Sequence, residues 1–166
     1  MSAGLRRFAL TAHITFSVGW LGAVCSFLAL AIAGLASRDE QLVRGAYLAM
    51  SVTAWFVIVP LSIASPLTGI VQSLATTRGL VRHYWVLIKL LMTIPSTAVL
   101  LLAHMQPIDR LAHAAADGAL GSADLSGLRI HAVVAAGAAG LVLLVATALS
   151  VYKPPGMTRY GVPRCP

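Results

Sequence analysis

The chain has 166 residues, of which 58% are hydrophobic and only 10% are charged. That balance excludes a disordered chain, and it fits an integral membrane protein far better than a soluble domain. The net charge of +7 comes from basic residues that flank apolar runs, so it reads as a topology signal and not as a nucleic-acid surface.

Four apolar segments are long enough to cross a bilayer, which takes about 20 residues of helix. The first covers 8–35 and carries His13, Trp20 and Gly22. It is longer than the roughly 7–15 residues of a signal-peptide core, so an uncleaved membrane helix is expected. The second covers 46–76 and contains Pro60 and Pro66, which predicts a kink or a strong tilt. Its end carries Ser65, Gly69, Gln72, Ser73 and Thr76 at helical steps, one polar stripe on one face. The third covers 84–105, with Lys89 near its start and Thr93 and Ser96 following on the same side. A polar link with one short surface helix around 108–116 then leads to the fourth segment, 128–152. The expected fold is all-α, a four-helix transmembrane bundle forming one domain over 1–166.

Lys and Arg near the helix ends set the orientation. Arg6, Arg7, Arg78, Arg82, Lys89, Lys153, Arg159 and Arg164 fall on one side, and Arg38, Arg44, Arg110 and Arg129 on the other. The richer side is expected to be cytoplasmic, which puts both termini in the cytoplasm and the chain in a bacterial inner membrane. The acids, Asp39, Glu40, Asp109, Asp117 and Asp124, then all fall on the outer side, so Lys89 has no carboxylate at its own level. Helices 1 and 3 enter from the same side, each with its ionisable residue at a similar depth. His13 and Lys89 are therefore expected within about 12 Å of each other, in a polar pocket among the first three spans, and His131 roughly 20 Å or more away.

An ionisable side chain inside a membrane segment is a functional hypothesis by default. His13 suits a metal or haem iron as a neutral imidazole, or a hydrogen bond to a neighbouring helix. Lys89 suits an anionic ligand group such as a haem propionate, or lipid phosphates reached by snorkelling. Arg82 stands as a second propionate partner and His83 as a second ligand. A weaker metal site is drawn from His104, His113 and His131. Trp20, Trp55 and Trp85 are either pocket walls or, for Trp85, an interface anchor. Gly19, Ala23, Ala132, Ala136 and Gly140 follow small-residue spacing for close helix packing, within the bundle or between subunits. No metalloprotease, P-loop or nucleophile-elbow motif is present.

The stretch "AHITFSVGWLGAV", with His13, Trp20 and Gly22, resembles the H-x(6)-W-x-G signature of several bacterial membrane families. "TTRGLVRHYWVLIKLL", with Gly79, Trp85 and Lys89, resembles the segment entering their third helix. "LSVYKPPGMTRYG" looks like the C-terminal signature of an uncharacterised family of integral membrane proteins. The related families are the CopD-type copper-resistance proteins and the HemJ-type protoporphyrinogen oxidases. The HemJ resemblance implies haem bound by a helix 1 histidine and a helix 3 lysine, here His13 and Lys89; the CopD resemblance implies copper as cargo. The reading taken forward is a membrane protein binding b-type haem, in electron transfer or porphyrin-related redox, with His13 on the iron and Lys89 and Arg82 on propionates. Its alternatives are a non-enzymatic membrane subunit or homo-oligomer, and a copper or other metal-ion permease. No motif decides whether the chain is an enzyme.

Overall fold

A computed structural model describes residues 3–74, 84–118 and 123–152. These are helical nearly throughout, with no strand among them. Helix α1 is Ala3–Ala36. Helices α2 (Glu40–Thr53) and α3 (Val59–Leu74) join through a π-helical turn at Ala54–Ile58 into a second continuous rod. Helices α4 (Tyr84–Val99) and α5 (Met105–Ala116) join in the same way through a π turn at Leu100–His104. Helix α6, Ala123–Tyr152, completes the chain. All four rods are long and apolar enough to span a membrane.

The rods run past the hydropathy boundaries in both polar links, and local chemistry explains why. Asp39 caps α2: its side chain accepts the Gln41 N–H at 2.9 Å, and Glu40 follows in the first turn, where negative charge suits the helix dipole. Val43, Ala46, Tyr47 and Met50 then form a buried stripe at helical spacing, so residues expected in a link are the first turns of the span. The expected separate surface helix near 108–116 is instead α5, the continuation of the third span. Met105, Ile108, Leu111 and Ala115 give it a buried face against α2. Asp109 Oδ1 accepts the Trp55 indole N–H at 3.0 Å and the Ser51 hydroxyl at 3.3 Å, and Arg44 donates to the Ala116 carbonyl at 3.1 Å. Trp55 is thereby a fastener between spans. Only after Ala116 does the rod end, where Gly118 takes φ +70°, a left-handed conformation that glycine adopts without strain.

The second span carries a π turn just before Pro60, while Pro66 lies inside the regular helix α3. There the Val59 N–H reaches back to the Ala54 carbonyl, adding one residue to the turn. The third span has the same arrangement, a π turn shortly before Pro107.

Helix α1 packs along α2, α3 and α6; α2 also meets α5, and α4 lies against α6 and, less extensively, α3. The spans are thus ordered 1-2-3-4 around the bundle, with the first and third on a diagonal. Small residues sit at the α1–α6 seam: Ala23, Ala132 and Ala136 are buried, and a Cβ built on Gly140 would meet Val24 at 3.8 Å. Large apolar side chains point outward, Leu91 75% and Leu102 82% exposed, as a lipid-facing surface requires.

Candidate functional site

His13 and Lys89 meet across the diagonal, with Lys89 Nζ 3.5 Å from His13 Nε2. The expected proximity of the two residues is met, at far shorter range than equal depth alone requires. His13 Nδ1 lies 3.0 Å from the Ser65 carbonyl oxygen and 3.2 Å from Thr68 Oγ1. A carbonyl only accepts, so Nδ1 carries the proton and donates. The Thr68 hydroxyl lies 2.7 Å from the Ala64 carbonyl and donates there, leaving its oxygen to accept from the imidazole. The neutral ring therefore has its lone pair on Nε2, the nitrogen that faces Lys89.

Lys89 Nζ also donates to Ser150 Oγ at 2.8 Å, and that hydroxyl passes its own proton to the Ala146 carbonyl. Among the described residues the partners of Lys89 are an imidazole and a hydroxyl, both neutral. The His13–Lys89 cluster consequently includes the fourth span, which the expectation of a three-helix pocket omits. Helix α6 runs antiparallel to α4, so its C-terminal end returns Ser150 to the depth of Lys89.

The stripe on α3 works as a wall. Ser65, buried, shares a hydrogen bond with Ser17 Oγ at 2.8 Å, one turn along α1 from His13. Gly69 backs the imidazole: a Cβ there would stand 3.0 Å from His13 Cε1, tighter than ordinary contact. Thr68, Ser17 and Ser150 are the site residues that sequence reasoning passes over. Ser17 had a signal, since it lies four positions after His13 and shares its helix face. Lys89 and Thr93 are joined along α4 by the Thr93 hydroxyl, 2.9 Å from the Lys89 carbonyl. Arg82, His83 and Thr76 lie outside the described residues, as does the side chain of Trp85.

The weaker metal site does not assemble. His104 and His131 stack, ring centroids 5.1 Å apart and planes 16° from parallel, but His113 is exposed and not part of the pair. It follows His104 by nine positions, which on a helix is about half a turn out of phase and about 13.5 Å along the axis. No group of three or more His, Cys, Asp or Glu side chains able to hold a metal ion occurs among the described residues. His131 is also remote from the His13 site. It precedes Ser150 by 19 positions on α6, about 28 Å of helix.

A third polar feature lies at the end away from the termini. Arg129 donates through Nε to the Tyr47 hydroxyl at 2.9 Å and through a terminal nitrogen to the Gly34 carbonyl, joining the first, second and fourth spans. A Cβ on Gly34 would fall 2.8 Å from the Tyr47 ring, so glycine is needed for that close approach. This is a structural clasp, and it gives Arg129 a role beyond topology.

No protein-family model, curated protein or solved structure matches the chain.

Proposed function

We propose that the protein is a multi-pass membrane protein that binds b-type haem between its spans near the termini, where His13 Nε2 would hold the iron and Lys89 would be the cation for a propionate. The observation that supports this most is the fixed tautomer of His13. A ligating histidine needs a neutral ring, a lone pair on one nitrogen, and a carbonyl or similar acceptor holding the other N–H. His13 has all three, with Ser65 as the acceptor. The donor set therefore fits the group. A haem so bound would supply one-electron redox chemistry. Ser65 and Thr68 would orient the imidazole, Ser17 would steady Ser65, and Lys89 would exchange its contact with Nε2 for an anionic group while Ser150 remains its second anchor. The Lys and Arg bias of the sequence supports placing this end of the bundle, with both termini, on the cytoplasmic side of a bacterial inner membrane.

The test is an absorption spectrum of protein purified after expression with ample haem supply. A Soret band that disappears in His13→Ala and shifts or weakens in Lys89→Gln is expected. Its absence from the unsubstituted protein sinks the reading.

A second reading has its own support. Among the described residues no buried side-chain nitrogen or oxygen lacks a partner, so the His13–Lys89–Ser150 network also serves as a closed polar fastening in a non-enzymatic subunit or homo-oligomer. In that case His13→Leu with Lys89→Gln lowers stability or assembly, and no cofactor is lost because none is held.

A further inference from the structure

The end of the bundle away from the termini encloses a cavity of about 310 Å³, partly open to the surface. Its walls are almost wholly carbon: Trp20 and Phe27 from α1, Pro95 and Val99 from α4, and Leu143 with a run of alanines from α6. Two further observations mark it as built rather than left over. Both π turns border it, Ala54 and Ile58 from one and Leu100 and His104 from the other. Such turns widen a helix at a cost in hydrogen-bond geometry and concentrate at functional sites. Among the described residues the ionisable groups on its lining are the stacked His104 and His131, and they form its most polar end; the Ser96 hydroxyl, which donates to the Met92 carbonyl, and the Trp20 indole are the other polar side chains there.

The chemistry of that end selects among occupants. His104 Nδ1 lies 3.1 Å from the Val99 carbonyl, which only accepts, so Nδ1 holds the proton and Nε2 offers a lone pair. No hydrogen-bond partner for Nε2, or for either nitrogen of His131, occurs among the described residues. A ligand that satisfies Nε2 must donate a proton. Phospholipid chains and their esters have no such group, and a quinone only accepts. A phenolic hydroxyl donates to His104 and accepts from the N–H of His131. The volume lies at the small end of the range of about 300–1,000 Å³ for ligand pockets, and it takes one substituted ring.

From this geometry we infer that the cavity is a binding site for a membrane-soluble phenol of the hydroquinone class, its ring among Trp20, Phe27 and Pro95 and one hydroxyl on the His104–His131 pair. The site is separate from the one at His13 and does not rest on the haem reading.

Binding of decyl-hydroquinone, kept reduced with ascorbate, to the purified full-length protein in detergent micelles tests the proposal. Saturable binding is expected, with the dimethyl ether of the same compound at least tenfold weaker because it has no proton to donate. Ala139→Phe places a ring in the cavity and should weaken hydroquinone binding at least tenfold. His104→Phe keeps the stack and the bulk while removing the acceptor nitrogen, and should weaken hydroquinone about tenfold while leaving the ether unchanged. Each variant is read only where its thermal unfolding shows a folded chain, and failure of one leaves the other to decide. Equal binding of the ether, no saturable binding, or unchanged affinity in both folded variants overturns the proposal; equal binding of the ether would mark the cavity as a lipid-chain niche.

Discussion

At the end of the bundle that bears the termini, His13, Ser65, Lys89 and Ser150 close on one another, and polar atoms of all four spans partner each other. At the far end the wall retreats, and two imidazoles stack over an apolar chamber with ring nitrogens to spare. The difference comes from the backbone as much as from side chains. Regular α-helix near the termini keeps Ser65, Thr68 and Gly69 on one face against His13, whereas both middle rods carry a π turn where they border the chamber. Within the same bundle, short hydroxyl side chains at regular spacing give a tight cluster, and two π turns facing the alanine run of α6 border the open space.

His13→Ala is expected to show the largest contrast between the halves. It removes Soret absorbance altogether while leaving the Arg129 clasp intact, checked by absorption spectra beside thermal unfolding. A spectrum unchanged by the substitution would detach His13 from any haem. Next in size is Arg129→Met, which strands the Gly34 carbonyl and the Tyr47 hydroxyl and should cost about 2–4 kcal/mol of stability, read from unfolding in mixed micelles. Little or no loss would show the far end to be held by apolar packing alone. Gly69→Ala tests the fit of the imidazole. Its new methyl meets His13 Cε1, and a loss of about 1–2 kcal/mol with a displaced His13 signal by NMR is expected, since overpacking forces a neighbour to move. The smallest effect belongs to Ala139→Phe, which fills space and should change stability by no more than about 1 kcal/mol in either direction. A large loss there would mean the chamber is narrower than the structure has it.

The four spans, and the placement of His13 and Lys89 at one depth, were legible in the sequence because hydropathy and residue counting along a rise of about 1.5 Å per residue fix depth in a bilayer. Which face of each helix turns inward was only half legible. The stripe from Ser65 to Thr76 announces itself by its spacing, but Ser150 is an isolated hydroxyl in an alanine-rich segment, and nothing near it in sequence points to Lys89. Likewise, "QPIDRLAHAA" reads as a polar link with a short surface helix because its charged residues interrupt the apolar run. Its buried positions Ile108, Leu111 and Ala115 become meaningful only once α2 supplies the surface they cover.

Sequence alone therefore determined that this chain is an all-helical membrane bundle with an isolated histidine and lysine in the half that bears its termini. The tertiary structure decided that these two touch across the diagonal, that His13 holds its proton on Nδ1, and that His113 is parted from His104 and His131. The reason is physical: length and polarity are properties of single segments, whereas azimuth, tautomer and enclosed volume are set by what the neighbouring helices present.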